Sequence, residues 1–189
     1  MTARRIRRWI GAALGIIAGA ALFIGLKQPA GLLLRVVPVK GGEPLAELLL
    51  RPDERFTLRY YHSVENAPIW ETHSVDAHGR IFIEEERYLK FGAGMGKMPG
   101  VGRMVRRGPY EVIEAMHMPT GNFVLRIGSP GVDHTLIVGK RELNLSAIAP
   151  HTAVQFSAHP ISRFHLMLRT VFKKPSPWDM AQHNTGSGQ

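Results

Sequence analysis

The chain has 189 residues, is 44% hydrophobic and contains no cysteine. Its length suits one domain of roughly 100–150 residues with extensions, and the absence of thiols excludes a disulfide scaffold, a cysteine nucleophile, a Cys-based zinc site and a lipoprotein anchor. The net charge of +9 is concentrated at the two ends, since residues 28–158 hold fifteen basic against fourteen acidic residues; a nearly neutral middle argues against nucleic acid as a partner and basic ends favour an anionic membrane surface.

The first 28 residues read as a membrane anchor or signal segment. Trp9 to Leu26 is an uncharged run of eighteen residues between Arg8 and Lys27, preceded by Arg4, Arg5 and Arg7. As a helix it spans about 27 Å, just enough for the hydrocarbon core. The Arg cluster places the N-terminus in the cytoplasm and the rest of the chain in the periplasm, with a bacterial inner membrane as partner. A cleaved signal peptide competes with this reading, because Ala18-Gly19-Ala20 is an acceptable small-x-small site. Cleavage there would release the chain into the periplasm but leave the apolar Leu22–Leu26 run on it. Gly11, Gly15 and Gly19 have the spacing of closely packed transmembrane helices, a spacing common by chance in Ala/Gly-rich segments.

Residues 29–158 read as an extracytoplasmic β-domain. Short apolar or β-branched runs at 32–39, 46–51, 56–63, 69–75, 80–88, 110–117, 122–128, 135–139 and 152–158 alternate with Gly/Pro turns. This pattern predicts an all-β fold, an antiparallel β-sandwich or barrel. Leu143–Ile148 reads as one short turn capped by Asn144 or Ser146. In residues 159–189, Ile161–Lys174 places Ile161, Phe164, Leu168, Val171 and Phe172 on one face with Arg and Lys nearby, a short basic amphipathic helix suited to a membrane, a partner or the domain's own core. From Pro175 the composition predicts a disordered tail.

The twenty residues from Phe56 to Val75 gather the reactive groups. They read as two alternating strands about a turn at Val64–Ile69, which would set His62 opposite Glu71 and Tyr60 opposite His73. His62, Ser63, Glu65 and Glu71 then converge as candidate binding residues. A structural lock, a ligand or metal site, and acid–base chemistry with Ser63 as nucleophile all remain open. Neither a zinc-enzyme spacing nor a Gly-x-Ser-x-Gly elbow is present. The Gly-rich segment from Phe91 to Gly108 reads as a long basic loop able to meet an anionic or adaptable surface. It lacks the P-loop and dinucleotide spacings, so no cofactor is expected.

Taken together, Tyr60, His62-Ser63-Val64-Glu65, Pro68, Glu71 and Phe91-Gly92-Ala93-Gly94 resemble the bacterial family catalogued as domain of unknown function 1850, over roughly residues 35–158. The resemblance adds Gly92, Ala93 and Gly94 to the candidate binding residues. It implies a small extracytoplasmic protein often encoded beside TRAP transporters of the TAXI type. The expected function is therefore that of a non-enzymatic, membrane-anchored accessory protein, partnered with a TRAP membrane or binding-protein subunit. A periplasmic ligand- or metal-binding module acting alone through a His/Glu site is the alternative. The chain departs from the family at Met95-Gly96, where many relatives carry an apolar residue and Pro.

Overall fold

The computed structural model describes the backbone of residues 3–89, 101–172 and 174–181, with side chains from Leu14 onward. In chain order the elements are α1 (Ala3–Lys27), β1 (Pro29–Pro38), β2 (Ala46–Leu50), β3 (Arg55–Tyr61), β4 (Pro68–Val75), β5 (Ile81–Tyr88) and β6 (Arg103–Arg107). They continue with β7 (Tyr110–Glu114), β8 (Met118–Pro119), β9 (Phe123–Arg126), β10 (Thr135–Val138), β11 (Arg141–Asn144), α2 (Leu145–Ile148), β12 (Ala153–Ser162), α3 (Arg163–Phe172) and α4 (Pro177–Met180). The chain forms two compact units, Met1–Ala30 with Ile161–Lys173, and Gly31–Pro160 with Lys174–Gln189.

The larger unit is antiparallel β, as its composition of short alternating runs predicts. One sheet has the order β2-β1-β12-β9, and the other runs β11-β10-β3-β4-β5-β7-β6 with β8 beside β5. Alternation decides which side chains face inward: on β3, Phe56 and Leu58 are buried while Arg55 is exposed. Leu34, Leu50 and Phe156 of the first sheet enter the same core as Phe56, Leu58 and Leu136 of the second. A smaller cluster of Ile69, Tyr88 and Ile113, with Tyr60, Met104 and Met116 against it, lies further along the second sheet.

Register carries one lateral row across that second sheet. Leu143 pairs with Leu136, Leu136 with Leu58, Leu58 with Glu71, Glu71 with Glu86, Glu86 with Ile113, and Ile113 with Met104. Two glutamates thus interrupt an apolar row. A β-bulge makes this possible. Thr72 pairs with Glu85 but His73 pairs with Ile83, so Glu84 is an extra residue in β5. The extra residue inverts the alternation, so Glu86 and Tyr88 take the face of Ile81 and Ile83, and Glu85 and Arg87 turn away.

The β4–β5 turn is fixed against the other sheet. Asp76 Oδ1 accepts from the backbone N–H groups of His78 and Arg80. Gly79 has φ +83°, and a Cβ there would stand 2.6 Å from the Ala158 carbonyl oxygen. Only a glycine combines that backbone with that approach.

Several expectations are revised here. The segment read as a basic loop to Gly108 contains β6, which pairs with β7 in an antiparallel ladder across which Arg103 and Arg107 both reach Glu114. The tail read as disordered from Pro175 folds at α4. Ser176 and Asp179 form a reciprocal cap there, and Trp178, 2% exposed, enters the main core under the Arg141 guanidinium. One large indole outweighs the polar composition around it. The Asn144 cap forms as expected, its Oδ1 accepting from Ala147 N at 2.9 Å.

In the smaller unit, Arg163 N–H donates to the Gln28 carbonyl at 3.0 Å, and none of the residues of α3 is buried. Phe164, Met167, Leu168, Val171 and Phe172 are exposed. Leu14, Ile16, Ile17, Leu22, Phe23 and Ile24 of α1 are each more than half exposed. The expected N-terminal transmembrane helix is not found, since among the described residues no helix is long and apolar enough to cross a membrane.

Candidate functional site

The hairpin of β3 and β4 forms where the sequence places it, in a different register. His62 N–H donates to the Ala67 carbonyl at 2.9 Å, and Asn66 N–H donates to the His62 carbonyl at 2.9 Å. Asn66 takes a positive φ of 44°, a conformation asparagine tolerates. The turn therefore closes at His62 and Ala67, and pairing resumes at Tyr61 and Pro68. Glu71 consequently faces Leu58, and Tyr60 faces Ile69. The predicted pairs His62–Glu71 and Tyr60–His73 do not form. Among the candidates, His62, Ser63 and Glu65 stay at the turn, where His62 Nδ1 accepts from Glu65 N–H at 3.3 Å and Ser63 is exposed. Gly92, Ala93 and Gly94 lie outside the described residues.

Glu71 instead joins a polar cluster on the inner face of the second sheet. The Tyr60 hydroxyl donates to Glu71 Oε1 at 2.7 Å. The Tyr88 hydroxyl donates to Glu86 Oε2 in the same manner. Glu71 and Glu86 are direct cross-strand partners, so their Cα atoms are roughly 4.5–5.5 Å apart. His73 follows Glu71 on the same face. Its ring stacks between Phe56 at 4.9 Å and Phe123 at 5.3 Å, and its Nε2 is 3.8 Å from Glu71 Oε2. That distance is proximity rather than a hydrogen bond. Both ring nitrogens of His73 are buried without a hydrogen-bond partner. His134 closes the group by stacking on Tyr60 at 5.2 Å, with its Nδ1 accepting from Gly128 N–H at 3.0 Å.

The charges are unequal. Burial works against an ionised Glu71, but the His73 imidazole, the Tyr60 hydroxyl and the nearby His134 together hold its carboxyl below the usual value. Glu86 shifts the opposite way. Burial raises it, the Tyr88 hydroxyl resists, and the Glu71 charge raises it further. Burial and the adjacent carboxylates push both phenols well above the usual tyrosine value, so both remain proton donors. Burial lowers His134, which favours its neutral ring. Like charges opposed across two strands destabilise a sheet. The pair is therefore poised to hold a proton or a cation between its members.

A second polar chain lies along β4 and β5. Ser74 Oγ donates to Glu84 Oε1 at 2.6 Å, and His117 Nδ1 approaches the same oxygen at 2.8 Å. The carboxylate sits between serine and histidine, so no imidazole reaches Ser74 to take its proton through this chain. Among the described residues no three His, Asp or Glu side chains are arranged to hold a metal ion.

The sequence reading found Glu71 and passed over Tyr60, His73, Glu86, Tyr88 and His134 as site residues. One signal was available: glutamates within strands otherwise rich in Ile, Tyr and Phe. The bulge at Glu84 concealed it, because uninterrupted alternation from Ile81 and Ile83 would turn Glu85 inward instead of Glu86.

Residues 56–145 match the family model described as Domain of unknown function (DUF1850). The matched segment contains all six members of the cluster. No curated protein and no solved structure matches the chain.

Proposed function

The chain belongs to the DUF1850 family through residues 56–145, and on that premise we propose that it is a non-enzymatic, membrane-anchored periplasmic accessory protein of a TRAP-type (TAXI) solute transporter, binding a small ligand in its β-domain. The observation that carries the binding role is the buried cluster of Tyr60, Glu71, His73, Glu86, Tyr88 and His134. It lies wholly within the family segment, and it leaves two imidazole nitrogens without partners. A core selected for stability alone gains little from opposing two carboxylates in an apolar row. The fold is read as a β-sandwich, because both sheets feed one core.

Anchoring is supported by α1, whose Leu14–Ile24 side chains are exposed all round in a segment preceded by four arginines. α3 supports it too, as an unburied amphipathic helix carrying Arg163 and Arg169 beside exposed Phe164, Leu168 and Phe172. The transporter partner rests on the family resemblance.

Crosslinking the intact protein in native membranes, followed by affinity capture, tests this reading. Recovery of a TRAP membrane or binding-protein subunit is the expected outcome. Capture of the anchored protein with no transporter subunit would refute the accessory role. A protein that binds its ligand while transport is unchanged on deleting its gene would instead be a stand-alone periplasmic binding module, the second reading that the same cluster favours.

A further inference from the structure

The Glu71–Glu86 pair is flanked by acceptors with spare capacity. Glu71 spends Oε1 on Tyr60, and Oε2 has only the His73 ring at 3.8 Å. Glu86 spends Oε2 on Tyr88, and no described residue donates to its Oε1. His73 is 3% exposed, and its Nε2 is unpartnered and turned toward the free oxygen of Glu71. Glu86 is the direct cross-strand partner of Glu71 and His73 follows Glu71 on the same strand face, so the two carboxylates and His73 Nε2 share one face of the sheet, with no donor among them when His73 carries its proton on Nδ1. Ile69 and Ile113, with Met104 and Met116 against them, form an apolar wall beside the two carboxylates.

We propose that this site binds a primary ammonium group carried on a short apolar chain, with its three N–H groups directed to Glu71 Oε2, Glu86 Oε1 and His73 Nε2. This rests on the ligand-binding part of the function proposed above and names its ligand class. An ammonium has the required number of donors, and charge-assisted N–H···O bonds span about 2.7–2.9 Å, longer than metal–oxygen bonds. The positive charge removes the repulsion between the two carboxylates, and the methionine and isoleucine side chains cover the carbon chain. Affinity is therefore expected to fall in acid as Glu86 protonates, under the joint influence of Glu71 and His73 on β4, Tyr88 on β5, Tyr60 on β3 and His134 before β10.

The test uses the full chain in detergent and isothermal titration with n-butylammonium, at matched ionic strength. Comparison probes are butyltrimethylammonium, n-butanol and butyrate. Butylammonium should bind, and Glu71→Gln and Glu86→Gln should each weaken it by about tenfold or more. The trimethylated cation, which has no N–H donor, should bind worse by a similar factor. Circular dichroism and an unchanged response in Lys40→Ala, at an exposed turn residue, control for folding. No binding of butylammonium, or equal binding of the trimethylated cation, overturns the inference. Binding of butyrate or butanol that depends on the same glutamates also removes the ammonium assignment while keeping the binding domain. Crosslinking to a transporter is read separately and survives either result.

Discussion

Tyr60→Phe removes one oxygen from the cluster and keeps the ring that stacks on His134 at 5.2 Å. What is lost is the 2.7 Å hydrogen bond to Glu71 Oε1. A hydrogen bond to a charged group contributes about 1.5–3 kcal/mol. Glu71's side chain is 27% exposed, so water partly replaces the hydroxyl, and the lower end, about 1.5 kcal/mol, is the expected loss near neutral pH. The sign with pH follows from the lowered Glu71 value. Stability from the charged form is complete above the ordinary glutamate value and is lost as pH falls through the lowered folded value. The penalty of Tyr60→Phe should therefore shrink in acid. Urea denaturation across that window measures it, combined with a double-mutant cycle using Glu71→Gln. A coupling energy of about 1 kcal/mol near neutral pH is expected. Coupling under about 0.3 kcal/mol, or a penalty that ignores pH, would refute the view of Tyr60 and Glu71 as one unit.

Glu86→Gln should act in the opposite direction. The folded value of Glu86 is raised, so its contribution favours folding in acid and is lost as pH rises through that value. The variant should gain about 1 kcal/mol near neutral pH by relieving the like-charge pair, with the gain vanishing below the ordinary glutamate value in the same urea series. Gly79→Ala should cost about 2 kcal/mol or more, read as a lower Tm, because a Cβ meets the Ala158 carbonyl oxygen at 2.6 Å on a positive-φ backbone. Trp178→Ala should cost about 3–5 kcal/mol, since the indole is 2% exposed in the main core. Truncation after Pro175 should match it, and a neutral effect on denaturant midpoint would show that α4 adds nothing to the fold.

The sequence by itself determined the class of the fold, the boundaries of most strands and the place of the hairpin. Each of these depends on local chemistry: period-two alternation, Gly/Pro punctuation, and an aromatic-rich run that favours a pleated half-buried surface. It also identified Glu71 as a residue of interest, and the Asn144 cap, which depends only on neighbours three residues on. Only the tertiary structure decided which residues meet. The positive φ of Asn66 moved the turn to His62–Ala67 and exchanged the expected partners of Glu71. The extra residue at Glu84 reversed the faces of β5 and brought Glu86 and Tyr88 inward. A strand's alternation can be read along one chain segment, but its register is set by pairing with another, and one inserted residue inverts every face beyond it. For the same reason Trp178 reads as part of a polar tail in sequence and as core in space: it is held by Leu45 and Arg141, far away along the chain.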